Sequence, residues 1–195
     1  KHVGEVVHGP LENGPDGEAG RVDIGALRAA IDEHADRLNY VAVTAASNVT
    51  GIVNPAHEVA RHAHAAGALC VVDAAQSAAH VPISVQGPDA AEALDVVCMS
   101  GHKLYAPGSP GVIVAREALF EGLEPQVVRG GIVDRVETDR YEITDALPER
   151  EAAGTPNLPG ALRLAATLPL LGRTGMDLVA DDERELAQYA LARFA

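Results

Sequence analysis

The sequence predicts an α/β domain built on a largely parallel sheet. Three observations carry that expectation. Tyr40-Val41-Ala42-Val43-Thr44, Ala68-Leu69-Cys70-Val71-Val72 and Leu94-Asp95-Val96-Val97-Cys98-Met99 are nearly unbroken apolar runs of strand length. Segments with helical spacing of apolar residues lie between strand-like runs. Runs that stay apolar instead of alternating suit strands covered on both faces, which goes with parallel pairing under helices.

Each element has its own signal. Residues 1–22 are rich in Gly, Pro and acid (His8-Gly9-Pro10, Asn13-Gly14-Pro15-Asp16-Gly17) and are expected to form a loop with turn chemistry. Asp23 is placed to cap a helix whose apolar positions are Ile24, Leu27, Ala30 and Ile31. After the strand at 40–44, a helix is predicted near 55–66, with Pro55 suited to its first turn and Gly67 ending it. The strands at 68–72 and 94–99 follow, then a shorter one, Val112-Ile113-Val114, and a short helix over 116–122. Residues 125–157 are expected to be irregular, and an irregular stretch of that length inside a domain usually carries function. Helices are predicted again at 158–171 and 181–194.

Composition narrows the function. The chain has 195 residues, of which 47% are hydrophobic, enough for one sizeable core. A net charge of −13 argues against nucleic acid or an anionic membrane as a main partner. No run is long and apolar enough to span a bilayer, and the start is not a signal peptide, so a cytoplasmic protein is expected. Cys70 and Cys98 both fall in strands and are expected to be small core residues. His57, His62 and His64 lack zinc-motif spacing and are expected on a solvated helix face.

Lysine usage is more pointed. Lys103 is the only lysine besides Lys1, in a chain with thirteen arginines. Arginine stays charged, whereas a lysine amine can lose its proton and attack a carbonyl. Lys103 follows a predicted strand, in Ser100-Gly101-His102-Lys103. Open α/β sheets bind ligands beyond the carboxyl ends of their strands. Those ends here carry Asn48, then Asp73 and Gln76, then Ser100, His102 and Lys103. The intervals of 25 residues (48 to 73) and 27 residues (73 to 100) fit strand–helix–strand units. Alone, Asp73 would be a helix cap and Ser100-Gly101 an ordinary turn. Together they suit pyridoxal phosphate. An amine meets its aldehyde, Asp73 its ring nitrogen, and Ser100 and His102 its phosphate. Gln76 and Asn48 are then placed for its phenolic oxygen or a substrate carboxylate.

Ala46-Ser47-Asn48-Val49-Thr50-Gly51, Val72-Asp73-Ala74-Ala75-Gln76 and Ser100-Gly101-His102-Lys103-Leu104-Tyr105-Ala106-Pro107 resemble the class V aminotransferase family, closest to its cysteine desulfurase-like group. The resemblance runs from about Gly20 to the last helix. It implies the three-layer α/β/α large domain of a fold type I pyridoxal phosphate enzyme with a mostly parallel sheet, present here as an incomplete piece. It also implies a homodimer with sites at the subunit interface and a small amino acid as substrate. By position, Lys103 matches the Schiff-base lysine, Asp73 the pyridine-nitrogen partner and Gln76 the donor to the ring oxygen. Ser100 and His102 match phosphate ligands, and Asn48 a residue near cofactor and substrate.

Further on, Glu151-Ala152-Ala153-Gly154-Thr155-Pro156-Asn157 is similar to the family's Glu-Ala-Gly-Thr-Pro-Asn stretch, with Ala152 at the family's Glu position. There Thr155 would reach the phosphate held by the neighbouring subunit. Arg129-Gly130-Gly131 resembles the glycine-rich loop before that stretch.

On this resemblance residues 1–22 form an N-terminal loop segment and 23–175 the central part of the cofactor-binding large domain. Residues 176–195 form a helix leading towards a C-terminal small domain outside this chain. The family's substrate-carboxylate arginine and nucleophilic cysteine belong to that later domain. Cys70 and Cys98, both mid-strand, do not supply the cysteine. The resemblance ranks C–S cleavage first, of desulfurase or cysteine lyase type. Transamination and epimerisation share the same electron-sink step, and Ala152 motivates a non-catalytic module used for dimerisation or scaffolding as an alternative.

Overall fold

The computed structural model describes residues 4–9, 11–13, 19–125 and 127–194. At its centre is a four-stranded sheet. Its strands are β3 (Tyr40–Thr44), β4 (Leu69–Asp73), β5 (Val96–Ser100) and β6 (Gly111–Ala115), side by side in that order. β3–β4 and β4–β5 pair in parallel, and β6 returns antiparallel to β5. The mostly parallel α/β sheet expected from the apolar runs is therefore the observed one.

Helices α1 (Ile24–His34) and α2 (Ala56–Ala65) cover one face. Asp23 caps α1 as expected, its Oδ1 accepting from the Ala26 N–H at 2.8 Å. Period-2 geometry sends Val41, Val43, Cys70, Val72 and Val97 to the same side. There they meet Leu27 and Ile31 of α1 and Val59, Ala60 and Ala63 of α2 in one buried cluster. Burying a side chain such as Val59 or Val72 fully is worth about 1.5–3 kcal/mol. The opposite face is less covered among the described residues. Ala42 and Thr44 are exposed on it, and Val71 and Val96 half-buried. Only towards β5 and β6 does a second, smaller cluster form, where Leu164 joins Leu104, Ala106, Met99 and Val112. Leu164 belongs to α3 (Leu158–Thr174), which Gly175 at φ +86° separates from α4 (Met176–Phe194).

Three stretches differ from expectation. The segment 1–22 is not only loop: β1 (Leu11–Asn13) and β2 (Ala19–Val22) pair antiparallel. The turn expected at 14–17 lies outside the described residues. Within 125–157, β7 (Val133–Val136) and β8 (Tyr141–Ile143) form a second small antiparallel pair. Strands of three or four residues interrupted by charge are too short for periodicity to reveal. Helix α4 begins five residues before the expected position 181, because Met176-Asp177-Leu178-Val179-Ala180 holds no breaker and Asp177 suits the first turn.

The histidines correct another expectation. His57, His62 and His64 are half-buried, not on a solvated face. His57 Nδ1 donates to the Glu92 carbonyl and His64 Nδ1 to the Ala91 carbonyl, both at 2.7 Å, pinning the β4–β5 crossover onto α2. His64 Nε2 lies 2.8 Å from Asp95 Oδ2, which also accepts from the Cys70 N–H at 2.8 Å. The Arg116 guanidinium donates to the other oxygen. Asp95, 3% exposed, thus ties α2, β4 and the end of β6 together at the amino edge of the sheet. Burial pushes against its charge, but the Cys70 N–H, His64 and Arg116 prevail and hold the carboxyl below its usual range. Burial, and secondarily the Asp95 charge, push the Cys70 thiol up to about 12. Cys98 is only half-buried, less enclosed than a core residue.

Candidate active site

Because β3, β4 and β5 run parallel, their carboxyl ends meet at one edge. Thr44 pairs with Asp73, and Asp73 with Cys98, two residues before the end of β5. Asp73 is the last residue of β4 and is exposed. Its Oδ1 accepts from the Ala75 N–H at 2.9 Å, so one oxygen shapes the turn that follows. That turn carries Gln76, whose Oε1 accepts from Lys103 Nζ at 2.9 Å. The half-buried amine of Lys103 therefore rests on a neutral amide, 27 residues away in sequence. Such a partner orients the amine through a single hydrogen bond.

Local packing explains why the chain presents Lys103 there. Gly101–Lys103 forms a 3-10 turn directly after β5. A Cβ at Gly101 would lie 2.4 Å from both the Pro110 carbonyl and Ser109 Oγ, so only glycine fits between Ser100 and His102. Beyond the lysine, Leu104 and Ala106 are buried beside Leu164. Helix α3 clasps the rest of the turn. Asn157 Oδ1 caps it at the Gly160 N–H (3.1 Å), while Asn157 Nδ2 donates to the Gly108 carbonyl (2.7 Å) and Arg163 to that of Pro107 (3.0 Å).

The remaining expected residues divide. Ser100 Oγ and His102 Nδ1 share a hydrogen bond of 3.0 Å beside the lysine turn. Asn48 stands apart, exposed at the tip of a tight loop whose Ser47 Oγ accepts from the Val49 and Thr50 N–H groups. Thr155 is exposed on the loop before α3. That loop is held against the 129–131 segment, where the Gly154 N–H donates to the Gly130 carbonyl at 2.7 Å. Sequence reasoning missed Asn157 as a clasp. It also missed Asn54, which is buried, donates to the Thr44 carbonyl and accepts from the Val22 N–H. A polar amide directly after Ile52-Val53 was the available signal, since burial demands that it be bonded.

This donor set fits pyridoxal phosphate. A half-buried amine on a neutral partner suits an aldehyde, an exposed carboxylate on the neighbouring strand suits a ring nitrogen, and a hydroxyl and an imidazole at the same strand end suit a phosphate. A cavity of about 380 Å³ lies elsewhere, between the start of α2 and residues 81–83. Val53, Ile83 and Leu94 line it, and none of the expected site residues does.

Known proteins place the chain in a family. The model of the aminotransferase class-V family matches residues 11–195. A cysteine desulfurase of Dickeya dadantii is 37% identical over 176 residues, covering 90% of this chain and 41% of the relative. A probable cysteine desulfurase of Halalkalibacterium halodurans is 38% identical over 162 residues, covering 83% of this chain and 38% of the relative. The solved apo structure of a cysteine desulfurase from Thermococcus onnurineus superposes with a TM-score of 0.77 at 33% identity, covering 89% of this chain and 41% of that one. A cysteine desulfurase from Escherichia coli, solved as its S-sulfonic acid, gives 0.76 at 33% identity, with 87% and 40% covered. The chain thus spans about two fifths of the length of the proteins it matches. With its sheet, its lysine turn and the matched span taken together, the chain belongs to the aminotransferase class-V family.

Proposed function

We propose that this chain is the cofactor-holding part of a pyridoxal phosphate enzyme that cleaves the C–S bond of a small amino acid, in the manner of a cysteine desulfurase. The observation that carries the reading is the Lys103–Gln76 hydrogen bond at the edge that also bears Asp73 and Ser100. The names of the relatives support cysteine as the substrate class.

Bound pyridoxal phosphate would supply an electron sink for charge developing at the substrate Cα. The chain's residues do the rest. Lys103 would hold the cofactor's aldehyde through Nζ, and its amine, when free, would carry a proton to or from the substrate Cα. Gln76 keeps that amine aimed while it waits. Asp73 would pair with the ring nitrogen and favour its protonated form. Ser100 and His102, already bonded to each other, would hold the phosphate. Asn48, exposed on a loop of its own, would border the cofactor and the substrate carboxylate only as the family resemblance implies. Thr155, exposed on its own loop, would reach the phosphate held by a neighbouring subunit in a homodimer. The sulfur-accepting thiol comes from outside this chain. Cys70 is fully buried with its thiol pushed up to about 12, and Cys98 sits mid-strand in β5. Among the described residues no helix is long and apolar enough to cross a membrane, and a cytoplasmic setting accords with that.

The test uses the full-length protein. Wild type is expected to take up pyridoxal phosphate with a visible absorbance band and to convert cysteine to alanine, the sulfur leaving as sulfide when a thiol reductant is present to reduce the persulfide on the accepting thiol. Lys103→Ala is expected to lose the band and, from the proton-transfer role alone, about 10²–10⁴-fold in rate. A wild type without the band, or a Lys103→Ala variant with the same spectrum, ends the reading. Sulfide with pyruvate instead of alanine would reassign the reaction to a lyase.

A further inference from the structure

Tyr105 adopts φ +58°, the only positive φ on a non-glycine residue among those described. Wherever else the described chain turns through a positive φ, from Gly20 to Gly175, it uses glycine. A tyrosine pays a steric cost there, because its Cβ crowds the following carbonyl and its side chain offers no local bond as Asn or Asp would. The cause of the conformation is visible. Leu104 and Ala106, 3% and 1% exposed, both point into the second core cluster. The Ser109 N–H donates to the Ala106 carbonyl, and Arg163 holds that of Pro107. The residue between two buried neighbours has to swing outward. Glycine would meet that demand at less cost, yet the position carries a tyrosine that is 55% exposed and so does little for the core. Packing against its own loop therefore does not explain it. Strain kept two residues from a reactive amine points to use by a ligand.

We propose that Tyr105 is a contact residue for the ligand held at Lys103, its ring forming a wall of the pyridoxal phosphate site. The proposal rests on the reading of Lys103 given above. It predicts opposite effects on fold and ligand. In full-length protein, Tyr105→Gly keeps the backbone shape and removes the ring. The cofactor-free variant is expected to melt at or above the wild-type temperature, while holding pyridoxal phosphate roughly tenfold less tightly, the scale of one lost aromatic contact. Tyr105→Phe keeps the ring and is expected to hold the cofactor as wild type does. Retention is read from loss of the visible band on dilution, melting from the cofactor-free protein, and assembly from sedimentation.

A lower melting temperature in Tyr105→Gly would make the ring structural and overturn the proposal. So would unchanged retention, or a Phe variant as weak as the Gly one. A Gly variant that dissociates into monomers with retention intact would assign the ring to a subunit contact, overturning it as well. In all these cases the wild-type band survives. If wild type itself takes up no pyridoxal phosphate, the Lys103 reading falls first and this one with it.

Discussion

The two edges of the central sheet each hold a carboxylate, Asp73 at the end of β4 and Asp95 just before β5, and they treat it in opposite ways. At the amino edge, Asp95 is enclosed and answered by the Cys70 N–H, His64 and Arg116. At the carboxyl edge, Asp73 is exposed and bonded to one neighbouring backbone N–H, while Lys103 beside it rests on a neutral amide. A buried charge costs several kcal/mol unless fully paired, so the first arrangement spends its polarity on the fold. The second leaves its polarity available to a visitor. Residue type alone does not separate a structural ion from a reactive one; enclosure and pairing do.

The sharpest test of this contrast exchanges each carboxylate for its amide in the full-length protein. Asp73→Asn keeps an acceptor for the Ala75 N–H, so stability is expected to move by no more than about 0.5 kcal/mol. On the proposed function, turnover with cysteine is expected to fall about 10²–10³-fold, the cost of losing one preorganised electrostatic partner. Asp95→Asn is expected to do the reverse: about 1–3 kcal/mol less stable in urea titration, with turnover per folded molecule little changed. Equal losses of stability in the two variants would dissolve the distinction.

Acid sharpens the comparison further. The folded Asp95 carboxyl is held below its usual value, so its contribution is complete above the unfolded value of about 3.9 and is lost as pH falls through the folded one. The stability gap between wild type and Asp95→Asn should stay flat near neutrality and close below about pH 4. A gap that instead widened on acidification would contradict that sign. The smallest expected effect belongs to Arg116→Ala. Its side chain is 68% exposed, so the loss should be about 0.2–1 kcal/mol and shrink with added salt, as melting curves at two ionic strengths would show.

Much of this was legible in the residues. Continuous apolar runs located β3, β4 and β5, and Asp23 and Gly67 marked the helix ends they border. Reading the polar residues that follow each run brought Gln76 and Lys103 to one edge, where the structure bonds them. The two short strand pairs escaped, since three or four residues give no readable period. The His64–Asp95–Arg116 network escaped for another reason: it assembles from three elements, and spacing within one helix does not register it. Its one available clue was Asp95 inside an apolar run, a place where a carboxylate survives only if answered. The clasp of α3 on the lysine turn is likewise a long-range fit, set by Asn157 and Gly160 meeting Gly108 across some fifty residues.

The hairpin of β5 and β6 has a wider consequence. Its rungs run from Ser100 and Gly111 at the lysine turn to Val96 and Ala115 at the far end, where Arg116 takes hold of Asp95. One hairpin thus joins the turn that presents the chain's internal lysine to the enclosed carboxylate at the opposite edge of the sheet.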